Sequence, residues 1–284
     1  MRDAPNPISR HPMIFYAPSI LSVGERASTL YETFVKRYSM AVISNAVFGD
    51  IMSGITDDAD ERAGLNRYAS RLSRENSYVE LQARYTGMML SVSFPQAREK
   101  QGLFPDEVMA RAEHGSGLAE QLVHIGNARE IVSYFVLFED ILKSVIEQLG
   151  GNRNARNSEL IDELRKLVRG KEPAFLEALS SRSQIDDFST IYLLWRYFSR
   201  VRNLLVHDGG YYGPEWREDY LKLKRSLSNR LLKADYIQFH SLADEFGADA
   251  ELQNGFYSPS NLVVNLLHNF SKVVMESLYL SEII

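Results

Sequence analysis

The chain has 284 residues, 45% hydrophobic and 24% charged, which is enough apolar material for a buried core and excludes wholesale disorder. Its net charge of -5 excludes a globally basic nucleic-acid binder, so any RNA role has to use a local surface. The absence of cysteine excludes disulfides, cysteine nucleophiles and thiolate metal sites.

Residues 1–24 carry four of the nine prolines and read as an extended arm, because proline removes a backbone donor and biases its predecessor away from helix. Ile14, Phe15 and Tyr16 are placed to pin that arm to the body or to a partner. The first residues show no signal-peptide apolar run, and no stretch approaches the roughly 20 apolar residues of a membrane span. The expectation is a cytoplasmic protein with no membrane partner.

From about Glu25, Leu30, Phe34, Ala41, Val42 and Ala46 recur at helical spacing. Gly49 to Glu61 reads as a loop and the start of another helix. Its acidic cluster lacks the spacing of a calcium loop and suits a helix N-terminus. Residues 61–93 begin as helix, and Tyr78 to Val92 fits helix or strand. Pro105 starts a short piece, and His114-Gly-Ser-Gly117 is a turn in which Ser116 caps the next helix.

That helix is the longest, with Leu118, Leu122, Ile125, Val132, Phe135, Phe138, Leu142, Val145 and Leu149 in rhythm until Gly150-Gly151 ends it. A short helix over Leu160 to Val168 and another from Pro173 come after it. Ser183 or Asp186 then opens a helix striped by Phe188, Ile191, Tyr192, Trp195, Phe198, Val201 and Leu205. A helix over about Pro214 to Ala234 turns Trp216, Tyr220, Leu223, Leu227 and Leu231 inward. Tyr236 to Phe239 is a candidate hairpin partner of Gly255-Phe-Tyr, and the last helix runs from about Pro259 to Tyr279. The fold class is all-α, a helical bundle with an added N-terminal helical region and room for a small β-hairpin. The domain reading is an arm over 1–24, a helical region of unassigned role over 25–116, and a main helical domain over 117–284.

Chemistry concentrates in Arg200-Val-Arg202-Asn203-Leu-Leu-Val-His207-Asp-Gly-Gly. The sequence has no zinc-protease, nucleophile-elbow, phosphate-loop or dinucleotide motif, and no two of its six histidines stand four apart. Neither a cofactor nor a metal is expected. A histidine serves as acid or base near neutral pH, and an arginine stabilises a phosphate that gains charge in a transition state. RNA brings its own nucleophile, the 2′-hydroxyl. Arg202 followed by Asn203, with His207 after four intervening residues, resembles the signature of the HEPN superfamily of helical domains, many of them ribonucleases that need no metal. Arg200 fits with six intervening residues, and Glu139-Asp140 in the long helix matches an acidic position common in such domains.

The resemblance covers about residues 117–284. It implies an endoribonuclease in which His207 moves protons, Arg202 stabilises the phosphate, and Asn203 orients one of them or holds substrate. Arg200, Glu139 and Asp140 are second candidates. It also implies a homodimer whose signature helices meet at one cleft, an RNA substrate, and a role as toxin or antiviral effector with an antitoxin or sensor partner. A structural reading stands beside it: Arg202 pairs with Glu139 or Asp140, and the chain is a non-catalytic HEPN-like scaffold for a protein or nucleotide partner. On an ideal helix Arg202 and His207 lie ~140° apart, whereas Asn203 and Arg200 fall within ~40° of His207. Arg202 thus needs a distorted last turn, or the histidine of a second protomer.

Overall fold

A computed structural model describes residues 28–61, 63–64, 67, 118–183, 185–231, 252–253 and 256–284. The arm over 1–24, the segments around Tyr78 to Val92, Pro105 and His114 to Gly117, and the strand candidate Tyr236 to Phe239 lie outside them. The described chain is all-α. Its helices are α1 (Thr29–Asp57), α2 (Leu118–Gln148), α3 (Leu160–Leu167), α4 (Glu172–Arg182), α5 (Phe188–His207), α6 (Pro214–Leu231) and α7 (Asn261–Leu280). Two short strands, β1 (Leu252–Gln253) and β2 (Phe256–Tyr257), pair antiparallel between α6 and α7.

The 31-residue α2 is the spine. Its buried side chains Ile131, Phe135, Phe138, Leu142 and Val145 follow the three-four rhythm of one helical face. The glycines after it act as the sequence implies. Gly150 takes φ +82°, and the Gly151 N–H donates to Ile146 O at 2.8 Å, so the chain can leave the helix sharply.

Helix α1 runs antiparallel to α2: Arg37 meets Asp140 near one end, and Phe48 lies against Gly126 near the other. Two expectations for α1 change. The helix continues through Gly49 and Gly54 to Asp57 instead of ending in a loop at Gly49. Its buried face is Tyr31, Phe34, Val35 and Tyr38, with Leu30 and Ala41 only partly covered. Glycine costs a helix interior only about 1 kcal/mol, which a long packed helix absorbs. The acidic cluster caps, as its position implies: Asp58 Oδ1 accepts the backbone N–H groups of Asp60 and Glu61 at 2.8 and 3.0 Å.

Helix α7 runs parallel to α2, joined by Asn127 to Asn261, Glu130 to His268 and Tyr134 to Ser271. Helix α5 packs antiparallel against both, with Phe135 and Phe138 around Trp195 and Phe198 stacked on Phe270. Each such buried aromatic contributes about 1.5–3 kcal/mol relative to exposure. The start of α5 differs by a residue or more from expectation. Asp187 is the cap, accepting Thr190 N–H at 2.6 Å, while Ser183 closes α4 through Leu179 O and receives Ile185 N–H. The expected stripe of α5 widens to include Leu194, Tyr197 and Leu204, because the helix is covered by α2, α3 and α6 at once.

The hairpin also differs from expectation. The sequence offers Tyr236–Phe239 as the partner of Gly255-Phe-Tyr, but Phe256 and Tyr257 pair with Gln253 and Leu252. Phe256 also bridges to Tyr211, and Tyr257 N–H donates to Gly210 O at 2.8 Å. The hairpin thus hooks the chain just beyond α5 and fixes where that helix ends. Among the described residues, no helix is long and apolar enough to cross a membrane.

Candidate functional site

The end of α5 is built by two left-handed residues. Asp208 N–H and Gly210 N–H both donate to Leu204 O, at 3.0 and 3.1 Å, and Gly209 and Gly210 take φ of +57° and +92°. Gly210 is doubly constrained, because a Cβ there would lie 2.6 Å from the Phe256 ring. The bond from Asp208 to Leu204 is an ordinary four-residue helical bond, so α5 stays regular through His207. The last turn is therefore not distorted, and the reversal falls after the histidine.

His207, Asp208 and Asn203 are exposed, and Arg202 is partly covered. Arg202 Nη1 donates to Asn203 Oδ1 at 2.9 Å, while its Nε is buried without a hydrogen-bond partner. No carboxylate among the described residues pairs with Arg202, so its charge is uncompensated there. Arg202 and Asn203 are brought together; neither is joined to His207 by a hydrogen bond. A regular helix keeps Arg202 and His207 on different sides, as the helical angles imply.

Arg200 is committed elsewhere. Its guanidinium lies 5.7 Å from the Trp216 ring centre, pairs with Asp219 at 3.1 Å, and reaches Trp216 O at 3.4 Å. It holds α5 to α6. The acidic pair in α2 is committed as well. Glu139 accepts Lys143 Nζ at 2.6 Å, and Asp140 faces Arg37 at 3.4 Å and Arg153 at 3.7 Å. This part of α2 packs on Trp195, twelve residues and roughly 18 Å of helical rise before His207. The ion pair between Arg202 and Glu139 or Asp140 considered from the sequence is not present.

No protein-family model matches the chain, nor does any curated protein or any solved structure.

Arg196 belongs to the same surface and is not marked by the motif. It is exposed and stands seven residues before Asn203 and eleven before His207, within ~20° of each around the helix. No hydrogen bond or ion pair holds it among the described residues. Arg196, Asn203 and His207 form one solvent-facing stripe, with the half-covered Ser199 beside them, fixed by Asn157 Oδ1 at 2.6 Å. The signal exists in the sequence as heptad spacing, but it lies outside the short Arg-to-His window of the motif.

Basic residues recur in the sequence over 153–171 and again over 222–233, and most of them are committed in the structure. In the first, Arg165 pairs with Glu172, Lys166 with Glu163, and Arg153 with Glu147. In the second, Arg230 is tied to Asp187 and Ser189, Lys224 is buried over the Tyr220 ring, and Lys222 pairs with Glu218. Arg225 is exposed with no such partner among the described residues.

Proposed function

We propose that the chain is a metal-independent endoribonuclease of HEPN type, with Arg202 and His207 at its site. The carrying observation is that one regular helix ends with an uncompensated, Asn203-bound Arg202 and an exposed His207 in its last turns. With no carboxylate partner among the described residues, the guanidinium charge of Arg202 and the Nη donors that Asn203 does not take are what it offers a phosphate, while its Nε stays buried. In the reaction the 2′-oxygen bonds to phosphorus and the P–O5′ bond breaks. The products are a 2′,3′-cyclic phosphate and a 5′-hydroxyl. His207 accepts the 2′-hydroxyl proton, a second imidazolium protonates the departing 5′-oxygen, and Arg202 stabilises the charge on the non-bridging oxygens.

Two imidazoles and the angular separation of Arg202 from His207 are both satisfied by a homodimer in which α5 of each protomer faces the other. Arg202 of one chain then reaches the phosphate handled by His207 of the second. A toxin or antiviral role, with an antitoxin or sensor as partner, belongs to this same reading by analogy of fold.

The reaction is tested with a short RNA and a copy carrying a single 2′-deoxy sugar at the cleaved step. The expected result is a cyclic-phosphate end on the first and no cut at the modified step. Cleavage of both with equal rate rules out internal attack.

A second reading, a helical binding module without catalysis, is favoured by the outer face of α1. Met40, Ile43, Val47 and Ile51 are each more than half exposed and recur at three and four. This reading predicts intact RNA after incubation with the protein at any pH.

A further inference from the structure

The connection from α5 to α6 folds back over the first turns of α6 and leaves a recess of about 710 Å³. That falls in the range of about 300–1,000 Å³ typical of ligand sites. Its lining comes from one stretch of chain: Tyr212, Pro214, Arg217, Leu221, Lys222 and Arg225. On α6 these positions recur at three and four, opposite Tyr220, Leu223 and Leu227, which enter the core. The recess therefore opens away from the body of the protein.

Its chemistry has two parts. Pro214 and Leu221 give an apolar floor beside Tyr212, whose ring is backed by Trp216 at 5.7 Å between ring centres. The lining carries three cations, Arg217, Lys222 and Arg225, and one acid; Arg217 has contacts of its own, and Arg225 is exposed with no ion-pair partner among the described residues. That acid, Glu218, is paired with Lys222 at 2.8 Å, an exposed pair on one helix turn that water and salt screen. Arg217 and Arg225 are eight residues apart, roughly 12 Å along the same face. In a chain of net charge -5 this is a local basic surface of the kind a polyanion needs.

We propose that this recess holds a segment of single-stranded nucleic acid. A base lies against Tyr212 and Leu221, and backbone phosphates meet Arg217 and Arg225. Cations alone would serve an acidic peptide equally well. The aromatic and aliphatic floor selects an unstacked base, which a duplex does not offer. Tyr212 is five residues beyond His207, at most about 18 Å of extended chain, so a strand anchored here passes the end of α5. That the strand is RNA rests on the ribonuclease reading; the recess as a strand-binding site is tested independently of it.

The test uses the full-length His207→Ala protein and a fluorescein-labelled uridine octamer, followed by anisotropy at low and moderate salt. Binding is expected, weakening steeply as salt rises. Tyr212→Ala should weaken it at least about fivefold, the low end of base–aromatic stacking. Arg225→Glu, at an exposed position that the fold does not use, should weaken it further. Octamer affinity unchanged in both variants overturns the proposal, as does a glutamate octapeptide that competes as well as the RNA. If the octamer binds, depends on Arg225, and is never cut by the wild-type protein, the recess stands and the ribonuclease reading falls. If the wild type cuts RNA while both recess variants bind normally, the recess falls and the ribonuclease reading stands.

Discussion

At the scale of single residues, the glycines after α2 and α5 separate two physical costs. Gly150 and Gly210 both hold positive φ, but a Cβ at Gly150 meets nothing within 4 Å, whereas at Gly210 it meets Phe256 at 2.6 Å. Gly150→Ala should therefore cost only the left-handed backbone penalty, about 1–2 kcal/mol. Gly210→Ala should cost clearly more and loosen the hairpin, as paired chemical denaturation curves would show. The arginines separate in the same way. Arg200→Ala removes the Trp216 and Asp219 contacts and should lower the melting temperature while sparing cleavage relative to Arg202→Ala. The motif is legible as letters, and so is its place at a helix end before two glycines. Which arginine is free is not legible, because Arg200 is engaged by a helix sixteen residues further on. Arg196 is hidden for a related reason: a surface stripe is defined by what the neighbouring helices leave uncovered.

At the scale of elements, caps and buried pairs carry the testable energetics. Burial works to raise the Asp187 carboxyl pKa, but hydrogen bonds from Thr190 and Ser189, together with Arg230, outweigh it and hold it below the usual carboxylate value. A carboxyl lowered in the folded state stabilises fully above its unfolded pKa of about 3.9, and that contribution is lost as pH falls through the folded value. Asp187→Ala should thus cost about 1 kcal/mol at neutral pH. The gap between variant and wild type should shrink in strong acid, as urea melts at the two pH values would read. Between α4 and α7, Arg182 grips the wholly buried Glu276 with Nε at 3.1 Å and Nη2 at 2.6 Å. Arg182→Ala should destabilise by about 3 kcal/mol or more, since it strips a buried carboxylate of its two-pronged donor. Helices α2 to α7 are legible in the sequence because period and terminators agree. The end of α1 is not, because Gly49 reads locally as a stop while packing carries the helix past it. The hairpin partner is not legible either: strands of two residues leave no periodic trace.

At the scale of the molecule, the proposed ribonuclease reading requires a second protomer, since the regular end of α5 keeps Arg202 and His207 on different sides of one helix. A solution mass of twice the 32.4 kDa protomer is expected by light scattering. Mixing Arg202→Ala with His207→Ala chains should not restore wild-type cleavage, because a mixed dimer keeps one Arg202–His207 pair across its interface but only one of the two imidazoles. The decisive measurement is RNA cleavage by wild type, His207→Ala and Arg202→Ala in the presence of a metal chelator. A metal-independent Arg202–His207 site predicts cleavage by the wild type that survives chelation and falls by at least about a hundredfold in each variant. Equal cleavage by all three proteins would contradict it.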